Sequence, residues 1–202
     1  MANTSAPNGF QLSGFLDGRD GSLGQSQWQI SSGDSNYYMT GDPVALSGGY
    51  LTAATVGANQ ILGIFIGCEY YSSAVNRVIW SPYWPGGTTV PTGTVISAWV
   101  ITDPQATFKV QSSGSAAVAQ SNVGKNIDWA GLTTSPTSAQ QFSGQSIAYA
   151  NQANISASTN YAFRILNLIT APPGANGTDT TTPYNYITVA FNNQTFRTTT
   201  GL

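Results

Sequence analysis

The sequence contains no histidine, a single cysteine and few charged residues of either sign. Without histidine the chain lacks the usual general base, the usual member of a catalytic triad and the commonest metal ligand. The one thiol, Cys68, lies in the apolar run ILGIFIGCEYY, and we interpret it as a small buried hydrophobe. We therefore expect no enzymatic activity, no metal site and no cofactor.

The charge balance excludes several classes of partner. Six basic and eight acidic residues give a formal net charge of -2, and the basic residues are scattered singly. Such a chain does not produce the positive field that nucleic-acid binding requires, so we expect no nucleic-acid partner. The longest apolar run, Ile61 to Cys68, is far too short to span a bilayer, and no signal-peptide pattern opens the chain. We expect synthesis in the cytoplasm and no membrane partner.

The carboxylates offer the only remaining route to hydrolytic chemistry. Most aspartates lie beside Gly, Pro, Asn or Ser, where an aspartate shapes a turn by accepting bonds from nearby backbone amides. A glycan hydrolase that uses two carboxylates is a minor hypothesis, and a calcium loop in the stretch DGRDG is another. The turn-forming role is the main interpretation.

Composition and pattern together predict an all-β protein. Straight-chain helix formers are scarce, with two lysines and one glutamate, whereas 11% of the residues are aromatic, which is too many for a disordered chain. ILGIFIG is typical of a buried strand. In ATFKVQS, apolar Ala106, Phe108 and Val110 alternate with polar residues, as in a strand with one buried face.

These patterns predict an antiparallel jelly-roll-like sandwich or barrel of seven to nine short strands, with long loops. Residues 1–40 are polar and punctuated by glycine, and we interpret them as an N-terminal arm or loop region with one or two short strands. Residues 41–202 form the single β domain. Residues 112–145 show no sustained period, and we expect a long excursion there with one helical turn after Ser135.

The scarcity of charge also bears on function. A soluble protein normally keeps about a quarter or more of its surface charged, whereas only 7% of this chain is charged and Ser, Thr, Asn and Gln are abundant. A polar but uncharged surface suits packing against other proteins over large areas, because burying charge is costly. The composition favours an assembled state.

The stretch VIWSPYWPGG concentrates aromatic rings in a small space. Trp80, Tyr83 and Trp84 lie within five positions of one another. Strand parity would put Trp80 and Trp84 on one side and Tyr83 on the other, although Pro82 and Pro85 interrupt that rule. Three interpretations are open: a core or loop anchor, a surface that another protein covers, and a stacking platform for a sugar.

Several segments, in their order along the chain, resemble a known class of virion protein. They are ANTSAPNGF, GDPVALSGGYLTAA, NQILGIFIGCEYYSS, RVIWSPYWPG, VISAWVITDPQATFKVQSSG, VGKNIDW and YAFRIL. They resemble the cement, or capsid decoration, proteins of short-tailed bacteriophages, which lie on the outside of the major capsid shell. The resemblance extends from residue 2 to about residue 168.

The resemblance implies a non-enzymatic, head-stabilising protein that bridges neighbouring subunits of the major capsid protein and self-associates as a dimer or trimer. It places the protein on the capsid exterior after synthesis in the host cytoplasm. Because aromatic rings commonly dominate interface energies, the candidate interface residues are the aromatic anchors of the arm and the ring cluster: Phe10, Phe15, Trp28, Trp80, Tyr83 and Trp84.

A second function is compatible with the same composition. A carbohydrate-binding or receptor-binding β module of a phage fibre or surface adhesin also combines β architecture with aromatic residues and Asn-rich loops. This hypothesis would use Trp80, Tyr83 and Trp84 as its sugar platform.

Overall fold

The computed structural model describes residues 2–18, 24–57 and 60–197. Strands make up 43% of the structure and helices 6%, which confirms the prediction of an antiparallel all-β protein. Fourteen strands are present in the described ranges, more than the seven to nine that we expected. The jelly-roll order of the strands stays a prediction.

Two large sheets and one small sheet contain all these strands, and every pairing between strands is antiparallel. The first sheet has the spatial order β1 (Gln11–Phe15), β10 (Ala106–Gln111), β14 (Tyr186–Phe191), β13 (Phe163–Leu168), β11 (Asn126–Ala130) and β12 (Tyr149–Ser156). The second has the order β2 (Gln25–Ile30), β9 (Ile96–Ile101), β6 (Gly63–Ser72), β4 (Pro43–Ser47) and β5 (Tyr50–Ala53), with β7 (Arg77–Ser81) also paired to β6. The small sheet pairs β3 (Tyr38–Met39) with β8 (Tyr83–Trp84).

The two large sheets share one hydrophobic core. Ile64 and Ile101 of the second sheet belong to the same buried cluster as three phenylalanines of the first sheet, Phe108, Phe163 and Phe191. The rings of Phe108 and Phe191 meet edge to face with their centroids 4.9 Å apart, an arrangement that aromatic pairs favour. The apolar residues of ATFKVQS face this core as predicted, but Thr107 and Gln111 are buried as well, so the expectation that only one face of the strand is buried is wrong.

A second core lies on the opposite face of the second sheet. Phe65 of β6 and Val100 of β9 point into it, and the small sheet contributes Tyr38 and Trp84. The second sheet is thus buried on both faces over part of its area. This explains why ILGIFIG reads as a continuous apolar run rather than as an alternating one.

The first 40 residues contribute strands to the large sheets. β1 pairs with β10 at the edge of the first sheet, and β2 pairs with β9 at the edge of the second. The segment before β1 is held by side-chain amides: Asn3 donates to the carbonyl of Asp179 at 2.7 Å, and Gln111 accepts from the amide of Ala6 at 2.8 Å. The division of the chain at residue 40 stays a prediction.

Residues 112–145 contain more regular structure than the sequence indicates. β11 lies inside this stretch, and its first four residues are all buried, including Asn126 and Asp128. Its first four residues do alternate, with polar Asn126 and Asp128 between apolar Ile127 and Trp129, but four is the shortest run that indicates a strand. The expectation of an unbroken excursion is wrong for these five residues.

The helical turn expected after Ser135 is confirmed. Helix α1 (Ser138–Ser143) begins with a capping box, in which the Thr137 hydroxyl accepts from the Gln140 amide and the Gln140 side chain accepts from the Thr137 amide. It ends at Gly144, whose φ of 66° is the left-handed conformation that glycine adopts readily. Gly144 packs directly against Pro82, so the helix adjoins the chain that follows β7.

Asp42 joins the start of β4 to the segment that follows α1. Its carboxylate is buried and accepts a hydrogen bond from the Ser146 hydroxyl and another, at 2.8 Å, from the Met39 amide. Burial raises the pKa of Asp42 from 3.8 to about 6, although the two hydrogen bonds act in the opposite direction. The carboxyl group therefore binds its proton more tightly in the folded chain than in the unfolded chain.

We expect the free energy of unfolding to rise as the pH falls from about 7 through about 6 towards about 4, by on the order of 2 kcal/mol from Asp42. The sign follows because the folded state binds more protons than the unfolded state over that interval. Thermal unfolding across this range should show a smaller pH dependence in Asp42→Asn than in the parent chain. An identical pH profile in the variant would contradict the assignment.

Candidate functional site

The six aromatic residues predicted to form an interface have different environments. Phe10 is buried and stacks on Phe163 with ring centroids 4.3 Å apart. Phe15 and Trp28 are half-buried at the borders of the two cores. Phe15 and Trp28 therefore pack at a core edge. Phe10 exposes almost no side-chain surface to a partner.

The ring cluster of the sequence divides in the same way. Trp84 is completely buried in the second core, Tyr83 is half-buried and Trp80 is 59% exposed. Trp84 is therefore a core residue, as in the first of the three interpretations. Its selection as an interface candidate is wrong. The structure also excludes one flat platform made of all three rings, because the rings of Trp80 and Trp84 lie on different faces.

The break between β7 and β8 explains this separation. The Ser81 hydroxyl donates to the carbonyl of Tyr83 at 2.6 Å and accepts from the Tyr83 amide at 3.2 Å, which makes a tight local turn around Pro82. β7 then pairs with β6, whereas β8 pairs with β3. Because Trp80 and Trp84 belong to different strands of different sheets, strand parity does not relate them.

Cys68 lies on β6 beneath the same turn. The residue is buried, and burial raises the pKa of its thiol to about 12. The thiol donates to the carbonyl of Tyr83 at 3.4 Å. These facts confirm the prediction of a small buried hydrophobe, and they describe a thiol that is protonated at neutral pH.

The hairpin formed by β6 and β7 carries a largely exposed face, which we call the hairpin surface: Glu69, Val75, Val78 and Trp80, which are exposed, and Tyr71, which is half-buried. Tyr71 pairs with Val78, and Glu69 pairs with Trp80, so these four side chains share one face of the hairpin. Val75 in the turn is also exposed. The hairpin surface is mainly apolar and aromatic, and Glu69 is its one charged residue.

The hairpin surface continues the face of the second sheet that packs on the first sheet. On β6, Ile64 lies in the shared core, while Glu69 and Tyr71 lie farther along the same strand towards the turn. On β9, Ile101 is in the shared core, and Trp99, two positions away, is half-buried. This face of the second sheet is thus covered by the first sheet at one end and exposed to solvent at the end that carries the hairpin.

Gly67 allows the Trp80 indole to lie close to the sheet. A Cβ atom at Gly67 would come within 2.7 Å of an indole carbon of Trp80 and within 2.9 Å of the Ser81 carbonyl oxygen. Gly67 follows an irregularity in the pairing of β6 with β9, and it pairs with Trp99. The two indoles, Trp80 and Trp99, therefore lie on the strands on either side of this glycine.

Sequence reasoning missed Tyr71 because it ended the strand at Gly67, after ILGIFIG, and so did not pair Tyr71 with Val78. The structure extends β6 to Ser72, through Glu69 and two tyrosines. The signal that was present is the hairpin pattern of CEYY and RVIW on either side of the turn residues SSAVN.

The aspartates behave mainly as turn residues. Asp34, Asp103 and Asp179 each accept a hydrogen bond from the backbone amide two residues later, at 3.0, 2.8 and 2.9 Å, as predicted. In the parts of the chain that the structure describes, no three His, Cys, Asp or Glu side chains come together as a metal site would require. Most of the DGRDG stretch, from position 19 onwards, lies outside the described residues.

No protein-family model, curated protein or solved structure matches this chain. Among the described residues, no helix has the length and apolar character needed to cross a bilayer.

Proposed function

We propose that this chain is a non-enzymatic structural protein of a bacteriophage virion, which binds the outside of the major capsid lattice and bridges neighbouring subunits. The observation that carries the proposal is the hairpin surface, where Trp80, Val75 and Val78 are each more than half exposed. A contiguous exposed apolar area on a soluble protein commonly marks a contact with another protein. The segment order that resembles phage decoration proteins supports the same function.

The low charge of the chain suits this role. The hairpin from Gly63 to Ser81 has only two charged residues, Glu69 and Arg77. Covering it with a capsid subunit would therefore bury little charge, which is the costly component of many interfaces. Trp80 provides the large rigid ring that interface hot spots favour.

A protein of this kind stabilises the shell by linkage. It binds the assembled lattice and not the free subunits, so its binding free energy is added to the stability of the assembled state. We propose that it acts as a dimer or trimer, because two footprints on one oligomer make the second contact intramolecular and allow each contact to be modest. The proposed location is the capsid exterior, with neither nucleic acid nor membrane as a partner.

The test is co-sedimentation of the purified full chain with capsids of the same phage that were produced without it. We expect saturation at a fixed number of copies per capsid subunit, together with a higher melting temperature of the shell. Free major capsid protein is the control and should not bind. Absence of binding, or binding at only a handful of positions per particle, would contradict a cementing role and would favour a fibre or receptor-binding protein.

A further inference from the structure

Tyr184 has an unusual backbone conformation for its residue type. Its φ is 64°, and in the described ranges only Asn76 shares a positive φ among residues other than glycine. Asn76 lies in the hairpin turn, and asparagine tolerates the left-handed region, whereas a tyrosine there is strained. Strain of this kind persists where the surrounding structure enforces it, and it is concentrated at functional sites.

Two buried amide side chains hold Tyr184 in this conformation. Gln111 donates to the Tyr184 carbonyl at 3.1 Å. Asn185, the next residue, is fully buried; its side chain accepts from the Ser112 hydroxyl at 2.9 Å and from the Val118 amide at 3.0 Å, and it donates to the Val118 carbonyl at 3.0 Å. On the other side of Tyr184, the Asn3 side chain donates to the Pro183 carbonyl at 3.1 Å, so the strained residue is built into the fold.

Tyr184 lines a cleft of about 240 Å³ beside the end of β10. The cleft is open on one side, and it lies on the first sheet, away from the hairpin surface, which belongs to the second. Its other lining residues include a second tyrosine at the start of β12, a proline of the N-terminal segment and three serines: Tyr149, Pro7, Ser5, Ser112 and Ser113.

The chemistry of this lining selects a class of ligand. None of the lining residues is charged, so the cleft offers no compensation for a charged ligand. It combines aromatic residues with serine and tyrosine hydroxyl groups, which both donate and accept hydrogen bonds. The volume is somewhat below the roughly 300 Å³ of the smallest sites for drug-sized ligands. A small, neutral ring that carries several hydroxyl groups matches these three properties.

We propose that this cleft binds a neutral sugar residue, with Tyr149 and Tyr184 contacting the apolar face of the sugar ring and the hydroxyls of Ser5 and Ser113 bonding to its hydroxyl groups. The inference is independent of capsid binding. It places sugar recognition at a different position from the Trp80, Tyr83 and Trp84 platform that the sequence suggested.

The test uses the full chain, labelled with ¹⁵N, and the methyl glycosides of glucose, galactose, mannose and N-acetylglucosamine as probes. We expect at least one probe to shift the amide signals of Ser113, Tyr149 and Tyr184 saturably, with a Kd of roughly 1 mM or tighter. Tyr149→Ala and Tyr184→Asn should each weaken binding at least tenfold. Tyr50→Ala, which removes an exposed tyrosine elsewhere, should leave the Kd unchanged.

The Tyr184→Asn variant also tests whether the strained conformation of Tyr184 serves ligand binding or only the fold. Asparagine tolerates the left-handed conformation, so this variant should melt at the same or a higher temperature than the parent while it loses sugar binding. Tyr149→Ala keeps the proposal testable should Tyr184→Asn fail to fold. The proposal is overturned if no probe shifts these amides, if the shifts occur at the hairpin surface instead, or if binding survives both substitutions.

Discussion

A Trp84→Ala variant is expected to lose about 3 to 5 kcal/mol of its free energy of unfolding. Trp84 is completely buried in the second core, where its ring meets Tyr70 edge to face with centroids 5.2 Å apart. Its indole N–H donates to the carbonyl of Asp34 at 3.1 Å. Truncation therefore leaves a large cavity and a carbonyl without its partner, and it loosens the small sheet that covers this core.

Urea denaturation provides the measurement. If the dependence of the unfolding free energy on urea concentration is the same in both proteins, the difference between their midpoints reports stability alone. Trp80→Ala is the matched control, because it removes the same side chain four positions earlier from an exposed site. We expect that variant to lose less than about 1 kcal/mol. Equal midpoints for the two variants would contradict the assignment of Trp84 to the core and of Trp80 to the surface.

The sequence predicts best those strands whose burial produces a simple pattern. The apolar residues of β10 alternate because they face the shared core, and the start of β6 is continuously apolar because the second sheet is covered on both faces. β11 alternates over only four residues, Asn126 to Trp129, which is the shortest run that indicates a strand, and its polar residues are buried as well as its apolar ones. The partners of the buried Asn126 side chain, the Ser158 carbonyl and the Arg164 guanidinium, come from distant parts of the chain, so its burial is not visible locally.

The same limit applies to the candidate site. Trp80 and Trp84 have the same parity in the sequence, yet one is exposed and the other is buried. What separates them is the turn at Ser81 and Pro82 together with the choice of pairing partner, β6 for one strand and β3 for the other. Pairing partners are set by tertiary packing. The prolines indicated that the parity rule would fail, but not which ring would face outwards.

If the proposed function holds, replacing Trp80 with alanine is expected to weaken binding to the capsid lattice more than any other single change at the hairpin surface. Trp80 is its largest exposed ring, and it lies close against Gly67. A hot-spot tryptophan contributes at least about 2 kcal/mol, or about thirty-fold in Kd for one contact. For a dimer that makes two contacts with the lattice, the loss compounds to about a thousand-fold.

The measurement is the bound fraction after co-sedimentation with capsids that lack the protein, over a range of concentrations of the full-length variant. Tyr50→Ala is the control for a nonspecific effect of removing an exposed ring, because Tyr50 is exposed on β5, away from the hairpin. A Trp80→Ala variant that folds normally and still saturates the lattice at the parental concentration would show that the hairpin surface is not the capsid contact. Lost binding in a variant with unchanged stability would assign this face to the interface, because an effect on folding alone would also lower the urea midpoint.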